Sequence, residues 1–407
     1  MVSTFAWMDY SEQQRRRMLD VIQQFRERTT RDELGLSGIR DAFADYLFPG
    51  TSTIQTRARY FLFTPWLYRS LEGKRIPSTA AGAWIRAAET KLIQPLAQSD
   101  DPRGTIGRIA KAEVQRLPSS VYWQGLSTWG LRLFIGSQDE YHRGLDRFYG
   151  DDDQHSRRRG EFAGESLHAG RQRNWDPHLP PPSPEFPKVA SFALTKQEAE
   201  YLRDQIRRNC EKSLLTELLR RRAVDEVGMA WELPDIGAFP KALQDWLLYA
   251  QNFSEVIHGA ALLYNLLIAE KAVAEAKIAE YRLLLDEWWT TKIVERRQAF
   301  EEWDLAKFWQ LVESENPQIH KRARKFVETW IDLVRAAKQH DEIVDGDKPR
   351  LLIGERERQL KGPLARLDNS RARELWLIGG GAAGAGQLDF RWRAARGILS
   401  DILQGLK

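Results

Sequence analysis

One cysteine, Cys210, stands in 407 residues, which excludes an internal disulfide framework and any multi-cysteine zinc site. Its helical spacing to Ile206 and Leu214 predicts a packed thiol rather than a reactive one. Histidine is also scarce, with seven scattered residues. No two His-and-carboxylate pairs stand at ligand spacing, so no metal is expected. No glycine-rich loop ends in G-K-[ST], and no serine sits in G-x-S-x-G. Apolar runs break well short of about 18 residues, so no membrane span is expected. The N-terminal MVSTFAWMDYSEQQRRR lacks the apolar core of a signal peptide, and the expected location is cytoplasmic. Charge of one sign is not in excess either. Lys and Arg total 61 against 57 Asp and Glu, a net +4, compatible with a polyanionic partner without specifying one.

Fifteen tryptophans and 42% hydrophobic residues are enough to build two or three cores. Helical signals dominate. Ser11 and Gln14 form a capping box before a helix whose first turns carry Arg15, Arg16 and Arg17. A second helix is expected over about 38–47, stopped by Pro49-Gly50. The stretch FPGTSTIQTRARY follows, in which Ser52 and Gln55 form another box that predicts a helix running toward Pro65. Ile106, Ile109, Ala110 and Val114 suggest a further helix closed by Leu117-Pro118, with Ser119 or Ser120 capping the next; LRLFIG after it is a short strand candidate. Composition changes after Tyr149, and 150–188 is read as a linker rich in charge, glycine and proline. Beyond it, Thr195 and Glu198 open a helix toward Arg222, and two heptad-like seams predict a long helix from Phe253 to Phe300. The expected fold is mainly α. An N-terminal helical domain (1–149) carries helix-turn-helix or winged-helix-like units, and a C-terminal helical bundle (189–407) contains the long helix.

Two segments carry candidate chemistry. Free amides at a helix start bind anions, and Thr51, Ser52, Thr53 and Gln55 add polar groups at the first of them. On a helix, Arg57 and Arg59 would lie about 200° apart, so only one of them would serve an anion there and the other would pair with Asp41 or Asp45. In LPSSVYWQGLSTWGL, Ser119, Ser120 and Gln124 occupy the start of a helix placed like a recognition helix. Arg108 and Lys111 supply charge just before it. From Arg103 to Arg132 five basic residues face one acidic residue. The competing reading of both segments is a capped helix inside a core.

Two further clusters are weaker. Gly379, Gly381 and Gly384 match G-x-G-x-x-G, but only 23 residues follow Gly384. A dinucleotide unit needs a βαβ frame of about 30 residues, so no cofactor is expected. Glu255, His258 and Asn265 share one helical face, a pattern more often satisfied inside a core than catalytic.

The segments FPGTSTIQTRARYFLFTPW, LPSSVYWQGLSTWGL, WDPHLPPPSPEFP, HGAALLYN and LDFRW resemble, over nearly the whole chain, a bacterial family known only as a domain of unknown function. The first and fourth are the most specific. The resemblance implies no activity and brings no catalytic residues. Members occur beside helicases and other genes of antiphage defence islands, which implies DNA and operon-encoded proteins as partners. The expectation is therefore a non-enzymatic DNA-binding subunit of an antiphage system, self-associating or joined to a helicase-like neighbour. The alternative is a protein scaffold of such a complex without nucleic-acid contact. An enzyme built on Glu255, His258 and Asn265 is a third reading.

Overall fold

A computed structural model describes residues 32–161 and 173–407, with the side chains of residue 112 and residues 151–161 outside the description. The predicted capping box at Ser11 and its arginines lie outside the described residues. The chain is mainly α-helical, and no helix among the described residues is long and apolar enough to cross a membrane.

In chain order the helices are α1 (Ser37–Leu47), α2 (Tyr60–Gly73), α3 (Ser78–Ala97), α4 (Pro118–Thr128), α5 (Gln138–Glu161), α6 (Lys196–Asn209), α7 (Leu214–Arg221) and α8 (Lys241–Lys271). They continue as α9 (Glu275–Trp288), α10 (Arg297–Glu301), α11 (Leu305–Glu315), α12 (Lys321–Ala336), α13 (Asp341–Val344), α14 (Asp347–Lys361), α15 (Ser370–Ile378) and α16 (Trp392–Gly405). The expected strand at LRLFIG reduces to an isolated bridge between Arg132 and Trp175.

The chain divides into two compact units. The first is Ala44–Gln244 with Phe390–Lys407, and the second is Asp245–Asp389 with the described part of Met1–Phe43. This division does not fall at 149 and 188, where composition shifts. Helix α5 runs through the first of those points. The proline-rich segment beyond it is largely exposed but lies against the first unit at Pro180 and the half-buried Phe186. Phe186 stacks on Phe63 at 5.6 Å, and Trp66 Nε1 donates to Pro180 O at 2.7 Å.

In the first unit, α2 is buried on every side except in its last turn, as expected of a helix that is apolar nearly all round. It packs against α3 and α4, while α16 lies on α6 and α7. The Thr195–Glu198 capping box forms as its sequence predicts. That helix nevertheless ends at Asn209 rather than at Arg222, because Ser213 caps a separate helix, α7. Cys210 lies buried at this junction, and burial pushes its thiol up to about 11.

In the second unit the predicted long helix is broken. Helix α8 ends at Lys271, Val273 takes φ 52°, and α9 begins at Glu275. The two apolar seams, one position out of step, belong to two helices. Leu262, Leu266 and Ala269 are buried on α8, and Tyr281, Leu285 and Trp288 on α9, while Val273 is exposed. Around α8, Phe43 meets Trp246 edge-on at 5.2 Å, and Trp330 Nε1 donates to Val256 O at 2.9 Å.

Candidate nucleic-acid interface

The segment after Pro49-Gly50 is not a helix start. Ser52 N–H does donate to Gln55 Oε1 at 3.2 Å, as the predicted box requires. The turn it closes leads into irregular chain and a second turn, and helix begins only at Tyr60. Tertiary partners take the backbone groups that a helix would have used. Tyr122 OH accepts from Thr56 N and Arg57 N and also lies 2.9 Å from Arg57 O, while Asp401 accepts from Ala58 N at 2.8 Å. Gln55 is buried, its amide donating to Gly50 O at 3.1 Å. Ser52 Oγ is enclosed without a partner, and Thr53 alone of the predicted hydroxyls here is exposed.

Both arginines of the segment are committed to internal partners. Arg57 forms a two-pronged pair with Asp401 at 2.9–3.1 Å, and its Nη1 reaches Asp101 at 2.8 Å. Its guanidinium also lies over the Phe192 ring at 4.7 Å. Arg59 donates to Glu198 at 2.8 Å and to Ser191 O at 3.0 Å. The expectation that one of them pairs with Asp41 or Asp45 is corrected accordingly. Asp45 instead receives Arg391 at 2.6 Å.

The second segment separates in a similar way. Helix α4 starts at Pro118, with Leu117 at its N-cap rather than the expected Ser119 or Ser120, and the helix expected over 106–114 does not form. Residues 103–110 form successive turns followed by one short 3-10 turn, Lys111–Glu113. The helix-turn-helix pair expected here is therefore absent. Glycines explain the difference, since Gly104 and Gly107 hold φ of 82° and 81°, and Lys111 follows at 50°. Helix requires negative φ at each of these positions.

Ser119 points inward. Its N–H and hydroxyl both meet the buried Glu89 carboxyl, at 2.6 and 2.9 Å, and Gln138 Nε2 donates to its Oγ at 2.9 Å. Burial pushes the Glu89 carboxyl up to about 7, against the Ser119 bonds that lower it. Ser120 and Gln124 are exposed one turn apart on α4.

Of the predicted contacts, Arg108, Lys111, Ser120, Gln124 and Thr53 thus reach solvent, while Ser52, Gln55, Arg57, Arg59 and Ser119 build the unit's interior. The loop between α3 and α4 exposes Arg103, Arg108, Lys111 and Arg116, with Ile109 exposed by 82% between them. Asp101 at its base is held down at about 2 by Arg103 and Arg57.

In the second unit, the polar face of α8 and the glycine-rich stretch account for each other. Ser254 Oγ donates to Leu388 O at 2.7 Å, His258 Nε2 to Ala385 O at 3.0 Å, and Asn265 Nδ2 to Ala383 O at 2.9 Å. Asn265 Oδ1 accepts from Ala383 N at 2.8 Å, and Tyr281 OH donates to Gly381 O at 2.7 Å. Residues 381–388 are therefore tied along the helix by their carbonyls, and burial lowers the His258 pKa. Glu255 pairs with Arg296 instead of His258. Among the described residues no group of three or more His, Cys, Asp or Glu side chains is placed to hold a metal.

One feature of the first unit escaped the sequence reading. A cleft of about 450 Å³ is lined by side chains from α2, the α5 region and residues 173–177, among them Arg69, Glu72, Tyr149 and Asn174. No motif marks it, because these positions are separated by about a hundred residues and none repeats a known spacing.

No curated protein and no solved structure matches the chain. A family model matches residues 2–405, nearly the whole chain. By that match the chain belongs to the family of unknown function DUF6361.

Proposed function

We propose that the first unit binds nucleic acid through the loop between α3 and α4 together with the exposed face of α4, as a non-enzymatic DNA-binding subunit of a bacterial antiphage system. The loop itself carries the proposal. Four exposed cations, of which Arg103 also pairs with Asp101, flank the exposed Ile109 in sequence on a loop with left-handed glycines. Cations of this kind neutralise phosphates, and an apolar side chain among them suits wedging between base steps. Ser120 and Gln124 add hydroxyl and amide groups beside the loop. The system, and helicase-like neighbours as partners, follow from the family resemblance alone. Fluorescence anisotropy with a labelled duplex tests the interface. Binding that weakens as salt rises supports it, and Ile109→Ser should lower affinity several-fold without changing the salt slope, since no phosphate contact is lost. Absence of binding at low ionic strength contradicts it.

A scaffold role has its own supporting observation. In the second unit Leu351, Leu364, Leu375, Leu377 and Ile378 are all exposed, more apolar surface than a short stretch needs to leave in water. Co-purification with operon-encoded proteins by a chain that fails to shift DNA favours that role.

A further inference from the structure

The cleft of the first unit has a composition that neither the loop proposal nor the family assigns. Its walls include the rings of Phe148, Tyr149 and Trp175. At its edge lie Arg69 and Arg173, both exposed, and neither has a hydrogen bond or ion pair among the described residues. The two carboxylates that line it are already engaged. Glu72 Oε1 accepts from Tyr141 OH and from Asn174 Nδ2, and Asp176 accepts from Tyr201, Gln205 and His178. The cleft thus carries two solvated guanidiniums that no protein carboxylate engages.

Asn174, which also lines the cleft, is held rigidly. It is 7% exposed, and its Oδ1 is buried with no donor. The amide cannot be turned over to remove the defect, because Nδ2 donates to a carboxylate that accepts only N–H or O–H. The Asn174 backbone is fixed too, its carbonyl accepting from Leu133 N at 2.9 Å. A buried acceptor without a donor costs roughly 1–3 kcal/mol.

Aromatic lining residues and two guanidiniums without a protein partner, in a volume within the usual 300–1,000 Å³ range of small-molecule sites, suit a flat anionic ligand. We propose that this cleft binds a nucleotide, its phosphate held by Arg69 and Arg173 and its base against the Phe148 and Tyr149 side chains. The nucleotide is either free or the terminal residue of a nucleic acid. The site is distinct from the α3–α4 loop and does not depend on it.

Gly73 provides a clean variant. It lines the cleft, and a Cβ there would meet no protein atom within 4 Å. Gly73→Leu adds bulk to the site and improves helix propensity, so the fold is retained. Calorimetric titration of the full chain with AMP, GMP, CMP and UMP, with inorganic phosphate as control, tests the proposal. At least one nucleotide should bind at one per chain and more tightly than phosphate. Arg69→Gln and Arg173→Gln should each weaken it by about tenfold, the value of one charge-assisted contact, and Gly73→Leu should abolish it. A 5′-phosphorylated oligonucleotide that competes where its dephosphorylated form does not identifies a nucleic-acid end; no competition by either identifies a free nucleotide. No binding at millimolar nucleotide, phosphate binding as tightly as nucleotides, or binding unchanged in Gly73→Leu overturns the proposal. Salt-dependent DNA binding persisting in Gly73→Leu separates this outcome from that of the loop.

Discussion

Glu89 shows how a single buried group sets part of the chain's response to pH. Its carboxyl is 2% exposed and receives two bonds from Ser119, yet burial dominates and raises its pKa to about 7. The folded state therefore binds this proton more tightly than the unfolded chain, whose value is near 4.5. Stability from this group is full below about pH 4.5 and is lost as pH rises through about 7, by on the order of 3 kcal/mol. Glu89→Gln should remove that loss, so urea midpoints of variant and parent should diverge in the variant's favour between pH 5 and 8; parallel curves contradict the assignment. His258 acts in the opposite direction. Its pKa is lowered by burial, so its share of stability is present above about 6.5 and is lost as pH falls through the folded value. His258→Gln, which keeps an N–H for Ala385 O, should flatten the acid limb of the same curve. These roles were only partly legible in the residues. The composition of Arg57 and Arg59 indicated charge. Their partners Asp401 and Glu198 lie far along the chain, where no local spacing points.

At the scale of elements, sequence pattern located helices better than it located their joins. Helix α1 and the cap at Thr195 were legible, because hydroxyl caps and apolar spacing act locally, whereas α4 begins about two residues before the expected serine cap, Pro118 opening the helix instead of closing the one before it. The turn at Ser52–Gln55 was misread because Tyr122 and Asp401 satisfy the following amides from outside the segment. The break at Val273 was visible as a one-position slip between seams, although apolar spacing alone does not say whether a slip is absorbed or broken. The packing of α9 on α8 gives a sharp prediction. A Cβ on Gly259 would lie 2.2 Å from the Trp288 ring, and that ring is held by its Nε1 bond to Glu255 O. Gly259→Ala should therefore destabilise by about 1–3 kcal/mol, despite alanine's better helix propensity, as overpacking does. A denaturation midpoint equal to or above the parent's contradicts this packing.

Over the whole molecule, the mainly α character was legible from composition and periodicity, but the division into units was not. The first unit closes only when Phe390–Lys407 joins Ala44–Gln244, and the end of a segment that reads as a linker supplies the buried Trp175 and the half-buried Phe186. Of the predicted nucleic-acid contacts, half became interior structure; of the exposed half, Arg108 and Lys111 lie on the basic loop, Ser120 and Gln124 on α4, and Thr53 apart from both. The loop's tip, with Ile109 among cations, was not foreseen because apolar spacing assigned that residue to a helix face. The central claim is that this loop grips a phosphate backbone, and the salt dependence of DNA affinity measures it most directly. In a plot of log affinity against log salt, Arg108→Ala with Lys111→Ala should lower the slope by about 2 and weaken binding alike for unrelated sequences. An unchanged slope in the double variant, or no DNA binding by the parent at low salt, would contradict the account.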